Sequence, residues 1–246
     1  VTGFTRLTRG YFGDVGGALS LIRASRGADA IYVASGEMPL LMLARKAGWV
    51  RAKVAKWAYA PSPRRVNPWS RRLTLAMPPW TGVDGLLCLT PITEQSCRQS
   101  NPRLLARFMD WAADLEMFQP CLPGEVSDYA LSVGRNERDF GTLVAASAGL
   151  SAPVQLVAPA SSLSGMELPS NVLRVGGPES PGDDRGLPYP ELVQRMQRAR
   201  CVVIALHHDP TTGNGYTNLL ESLAVGRPVV STRTGALAID LEREGV

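Results

Sequence analysis

The sequence predicts an α/β protein with two parallel sheets, and three observations carry that reading. Short valine-rich runs alternate with amphipathic stretches along 246 residues, the order that puts helices over both faces of parallel strands. Up to Leu122 there are 16 Lys and Arg against 8 Asp and Glu, and from Pro123 onward 10 against 14, so the charge changes sign mid-chain. Hydrophobic residues make up 45% of the chain and charged ones 20%, enough apolar side chain to offset ordering entropy and exclude a disordered chain. A length of 246 residues divides naturally at about 100–200 residues per domain. The predicted domains are residues 1–122 and 123–246, joined near Gln119–Asp128, where two prolines and a glycine fall together.

In the first half, Leu19–Ala24 reads as a helix leading into strand Ala30–Ala34. Helix Pro39–Ala47, strand Val54–Ala60 and strand Gly85–Thr90 with a following helix continue the pattern. Pro61–Pro79 reads as loop. Gly16-Gly17 resembles a phosphate loop only superficially, since no strand precedes it, and is read as a turn.

The second half is more regular. Tyr129–Val133 is a predicted strand, and Asp139–Leu150 a helix with Phe140, Leu143, Val144 and Ala148 on one face. Strands Pro153–Ala158 and Asn171–Val175 follow, then helix Pro190–Ala199. Strand Cys201–Leu206, helix Thr217–Val225 stopped by Gly226, and strand Pro228–Ser231 complete the series.

Several classes are excluded. The longest apolar run is six residues, Cys201–Leu206, against ~20 for a spanning helix. Cys88, Cys97, Cys121 and Cys201 show no C-x-x-C and no disulfide framework, which reads as reduced thiols in a cytoplasmic chain. The only histidines, His207 and His208, are adjacent and lack metal-ligand spacing, so no metal is expected.

The segment Gly213–Gly235 carries the most chemistry. Gly215 permits a close backbone approach, Thr217 is a candidate helix cap, and Asn218 opens the helix. Backbone N–H groups at such a helix start, with its dipole, suit a phosphate. Glu221 lies one turn in, where a carboxylate can accept hydrogen bonds from sugar hydroxyls. Upstream, Arg135 and Arg138 follow a predicted strand, at the end where open α/β sheets bind ligands. Their forked guanidinium groups suit a diphosphate.

These residues resemble the donor-site signature of retaining glycosyltransferases of the GT-B fold, family 4, the group 1 transferases. That pattern resembles E-G-F-G-x-x-L-L-E-A-x-A-x-G-x-P-V-V, matched here by Leu219, Leu220, Glu221, Ala224, Gly226, Pro228, Val229 and Val230. Ser132–Phe140 is similar to the family's G-R strand-to-helix turn. Asp84–Thr90, with Asp114, Phe118 and Pro120, is similar to the end of its first domain. The resemblance implies two Rossmann-like domains with parallel sheets facing across a cleft, and a fragment lacking part of each end.

It also implies a sugar moved with retention from a nucleotide sugar to an acceptor, for which a lipid-linked or polysaccharide precursor is the expectation. In that reading Gly134, Asn214, Gly215, Tyr216, Thr217, Asn218 and Glu221 bind the donor, and Tyr189 falls near the base. Arg135, Arg138, His207 and His208 serve the reaction, with no cofactor beyond the donor itself. Against each stands a plain reading: surface charges for the arginines and Glu221, a satisfied loop pair for the histidines, and a helix-flanking aromatic for Tyr189. One departure is clear: the family's first glutamate of E-x7-E falls at Gly213.

Two other functions stay open. One is a nucleotide-sugar epimerase or hydrolase of the same fold, and the other a nucleotide-sugar-binding protein without catalysis. A nicotinamide dehydrogenase is disfavoured because no G-x-G-x-x-G follows a strand. The basic stretch Arg51–Arg72 includes Trp57, for which strand core is one reading. Its loop arginines, with Trp69 and Trp80, read either as a solvated face or as a contact with an anionic membrane surface or lipid phosphate. No stacking-module motif accompanies it, so nucleic acid is not expected.

Overall fold

The structure is a computed structural model describing residues 15–34, 39–60, 80–122, 124–135, 137–176, 186–207 and 213–234, with 239 and 243. The chain forms two compact units, the first comprising Val1–Asp110 with Thr211–Gly213 and the second Trp111–Pro210 with Asn214–Val246.

In the first unit, α1 (Val15–Ala24) leads through a single 3₁₀ turn (Ser25–Gly27) to β1 (Ala30–Val33) and α2 (Pro39–Lys46). Then come β2 (Lys53–Ala58), β3 (Gly85–Cys88), α3 (Pro91–Ser100) and β4 (Leu105–Phe108). The four strands lie in chain order and all pair in parallel. Ile31, Val33, Leu41, Val50 and Val54 fill one core cluster. The α3 helix starts where its sequence says it should: Pro91 opens it and the Thr90 hydroxyl accepts from the Thr93 amide at 3.1 Å.

Three sequence expectations change here. Gly16 and Gly17 are inside α1 rather than in a turn. β4 was not anticipated, because its four residues, Leu-Ala-Arg-Phe, give only one buried position, Ala106, for periodicity to detect. Trp80 does not face outward toward a membrane. It is only 7% exposed, packs with Ala58, Leu86, Cys88 and Leu104, and lies beneath the Lys56 ammonium, 5.6 Å from the ring centroid. Trp57 is likewise core. Arg64, Arg65, Trp69, Arg71 and Arg72 lie outside the described residues.

The second unit begins with coil whose Phe118 is buried. It continues through β5 (Ala130–Val133), α4 (Phe140–Ser147), β6 (Val154–Val157), a short 3₁₀ helix (Ala160–Leu163) and β7 (Val172–Arg174). After these come α5 (Tyr189–Arg198), β8 (Cys201–Ile204), α6 (Tyr216–Ala224) and β9 (Val229–Ser231). The sheet order is β7-β6-β5-β8-β9, all parallel.

Strand alternation sends side chains to two cores. Leu131, Val133 and Val157 meet Val193 and Met196 of α5 on one face, whereas Leu156 and Ala158 meet Phe140, Leu143 and Val144 of α4 on the other. Part of Gln119–Asp128 is fastened to the end of α5. The Cys121 thiol donates to the Gln197 carbonyl, and the Gln197 side-chain amide donates to the Gln119 carbonyl. No helix among the described residues is long and apolar enough to cross a membrane.

Candidate functional site

In this strand order the chain leaves β5 toward β6 and leaves β8 toward β9, in opposite directions across the sheet. Between the carboxyl ends of β5 and β8 the connections diverge and leave a crevice, the place where open α/β sheets take ligands. The predicted site residues Gly134, Arg135 and Arg138 follow β5. His207, His208 and the start of α6 follow β8.

The two chain segments are stitched together at this edge. Arg138 and Leu206 form an isolated antiparallel bridge, the Asp139 amide donates to the Ala205 carbonyl, and the His207 amide donates to the Glu137 carbonyl. Glu137 has φ of +55°, a left-handed conformation that turns the chain sharply before α4. Asp139 then caps α4, accepting from the Thr142 amide at 2.9 Å and its hydroxyl at 2.7 Å. Those bonds hold the Asp139 carboxyl below its usual pKa.

The side chain of Arg138 folds back onto the strand it follows. Its Nε donates to the Val133 carbonyl at 3.2 Å and its Nη2 donates to Asn218 Oδ1. The guanidinium lies where a Cβ on residue 134 would be, so only glycine fits there. Burial lowers the Arg138 pKa to about 10, which still leaves it cationic at neutral pH.

Helix α6 supplies the facing wall. Its N-cap is Gly215, at φ +84°, a residue with no side chain of its own to cap the helix. A Cβ at Gly215 would come within 2.8 Å of Ile204 Cγ2, so the glycine seats the helix directly against the end of β8. The anticipated cap, Thr217, is instead an exposed residue of the first turn, and Tyr216 beside it is buried. The first-turn amides of a helix lack intrahelical acceptors and carry the positive end of its dipole.

Glu221 is only 6% exposed. Burial raises its pKa to about 7, while the Asn218 amide, 3.5 Å from Oε2, works in the other direction. Gly134, Arg138, Asn218 and Glu221 are thus gathered into one cluster: a half-buried cation, an amide and a buried carboxyl beside the start of α6. Such a cluster can neutralise a diphosphate and accept hydrogen bonds from a diol.

The other predicted residues are placed around it. Arg135 is exposed, and its guanidinium approaches Gly186, where a Cβ would lie 3.2 Å from Nη2. The His207 side chain is exposed and Asn214 is half-buried. Tyr189, at the start of α5, is 56% exposed, with its ring edge-on to Phe118 at 6.5 Å. His208 lies outside the described residues, and Gly213 is buried. Sequence reasoning placed Asn218 as a donor ligand and missed its bond to Arg138, 80 residues away. Its spacing three residues before Glu221 signals only that those two share a helix face; no local signal points to Arg138.

No family model matches the sequence, and no curated protein matches it either. Solved structures do. Sucrose-phosphate synthase from Thermosynechococcus elongatus superposes with a TM-score of 0.61 at 17% identity, over 91% of this chain and 61% of that one. HepE from Anabaena, in complex with UDP and glucose, gives a TM-score of 0.61 at 12% identity, over 91% and 65%. The pneumococcal O-GlcNAc transferase GtfA, in complex with UDP and GlcNAc, gives 0.55 at 12% identity, over 87% and 44%. The chain spans less than two thirds of the length of each of these proteins. These neighbours are GT-B glycosyltransferases, and the chain shares their architecture: an α/β protein of the GT-B fold.

Proposed function

We propose that the chain is the core of a nucleotide-sugar glycosyltransferase that moves a hexose from its donor to an acceptor with retention of configuration. The observation supporting this best is the cluster of Arg138, Asn218 and Glu221 at the start of α6, in the crevice between β5 and β8. In this reading Glu221 accepts from the ribose hydroxyls. The α6 amides, Arg138 and the exposed Arg135 hold the diphosphate.

As the glycosidic bond breaks, negative charge develops on the leaving phosphate, and fixed cations and amides facing it stabilise that charge. The leaving phosphate itself assists the incoming hydroxyl on the same face, so no protein nucleophile is needed. Gly213 has no side chain to hold the transferred sugar, and this task passes to the amides of 214–217 and to His207 or His208. The acceptor is a lipid-linked or polysaccharide precursor, met at the anionic face of a membrane. UDP-sugars are the donors to test first, because HepE and GtfA were solved with UDP.

The test is calorimetric titration of the 246-residue chain with UDP, GDP, ADP and dTDP, repeated with Glu221→Ala. Loss of a charged hydrogen-bond partner costs about 1.5–3 kcal/mol, so the variant should bind roughly tenfold or more weakly. An unchanged dissociation constant for the preferred nucleotide removes the donor site from Glu221. Binding without sugar transfer or release, measured on the full-length protein with the matching nucleotide sugar, favours the non-catalytic reading.

A further inference from the structure

Asn218 is the one side chain of the cluster that touches both charged groups. It stands three residues before Glu221 in the first turn of α6, so the two share a helix face. Its carbonyl oxygen accepts from Arg138 Nη2, and its Nδ2 lies 3.5 Å from Glu221 Oε2. The orientation of the amide follows from chemistry, since a guanidinium only donates and an ionised carboxylate only accepts. Reversing the amide would set two donors against each other at Arg138 and two acceptors at Glu221.

The remaining geometry makes Asn218 the outer half of a clamp. Val133 holds Arg138 Nε from β5, and the bare Cα of Gly134 leaves room for the guanidinium. Without Asn218, Nη2 loses its acceptor on α6. The Asn218 main chain is itself anchored, its carbonyl accepting from the Ser222 hydroxyl at 2.6 Å.

We propose that Asn218 is a positioning residue rather than a donor ligand, joining α6 to the end of β5 so that the Arg138 cation and the Glu221 carboxyl are held in one arrangement before the donor arrives. This rests on the donor-site reading above. Charged side chains held in place by their neighbours bind with less ordering cost than free ones. Asn218 therefore acts through its two neighbours, and its loss should resemble the loss of Arg138.

The experiment compares Asn218→Leu, which keeps the branched shape and removes both polar contacts, with Asn218→Asp, which keeps an acceptor for Arg138. UDP, GDP, ADP and dTDP are titrated into wild type, N218L, R138A and the N218L/R138A double variant, and the tightest binder is used for comparison. N218L should weaken binding roughly tenfold, the scale of a lost charged hydrogen bond, and the double variant should be no weaker than the poorer single one. In parallel, ¹⁵N NMR of the arginine side chains reads the rotation of the Arg138 guanidinium. Rotation should be clearly faster in N218L than in wild type and N218D, with no nucleotide present.

Full affinity in N218L, or losses that simply add in the double variant, overturns the positioning role while leaving the donor site standing. Guanidinium rotation unchanged by N218L overturns it on structural grounds alone. A wild-type chain that binds none of the four nucleotides overturns the donor-site reading, and this proposal with it.

Discussion

Glu221 shows how a single residue trades stability for a site. Its carboxyl titrates near 4.5 when unfolded and near 7 when buried in the folded chain. Between those values the folded state holds a proton that the unfolded state has released, so stability falls as pH rises from about 4.5 to about 7 and stays lower above. Glu221→Gln cannot ionise, and should match wild type at pH 4 yet exceed it at pH 8. The gain should be roughly 1–3 kcal/mol, allowing for screening by solvent. Urea unfolding at the two pH values checks this, and equal gains at both would show that the glutamine acts by something other than charge. The same substitution should weaken nucleotide binding, so the carboxylate is retained against its own cost. Ser132 offers the opposite case. Its hydroxyl is buried in β5 without a hydrogen-bond partner among the described residues. An unsatisfied buried group is unfavourable by about 1–3 kcal/mol, so Ser132→Ala should be neutral or stabilising in the same assay. A clear loss of stability would mean that the hydroxyl has a partner after all.

At the scale of elements, the glycines flanking the cluster separate packing from site geometry. Gly215 combines φ of +84° with contact against Ile204, so Gly215→Ala strains the backbone and displaces α6 from β8 together. It should cost roughly 1–3 kcal/mol of stability, read from the urea midpoint. Gly134→Ala strains the backbone at φ +156° and sets its Cβ against the Arg138 guanidinium. It should lower the urea midpoint and, by pushing the guanidinium out of place, weaken nucleotide binding about as much as Arg138→Ala. A Gly134→Ala protein with full affinity would mean that the folded-back arginine is not the binding form. These contrasts also explain what the sequence could and could not reveal. The valine-rich strands of the second unit and the Gly215, Glu221 and Gly226 spacing were legible because periodicity and helix-boundary residues are local signals. β4 was not legible, since an edge strand with one buried position carries almost no period. The Arg138–Asn218 bond was not legible either, because nothing local records a contact between residues 80 positions apart. Thr217 was misplaced as a cap because Gly215 can end a helix through its backbone alone.

For the whole molecule, the decisive property is that the chain is two units with separate sheets and separate cores. Each buries its own apolar side chains, so unfolding need not be a single all-or-none step. The basic surplus lies in the first half of the chain, whereas every residue of the Arg138, Asn218 and Glu221 cluster belongs to the second unit. A nucleotide that binds this cluster stabilises the state that forms it, by about 2.7 kcal/mol at a concentration a hundred times the dissociation constant. That stabilisation should appear where the ligand is held. In hydrogen-exchange measurements with saturating nucleotide, the amides of β5, β8 and α6 should slow by roughly a hundredfold if they exchange by unfolding of the second unit, as 2.7 kcal/mol implies. The amides of β1, β2, β3 and β4 should change much less. Equal slowing in both sheets would show that the two units open as one cooperative body. Slowing confined to the first sheet would place the nucleotide away from Glu221 altogether.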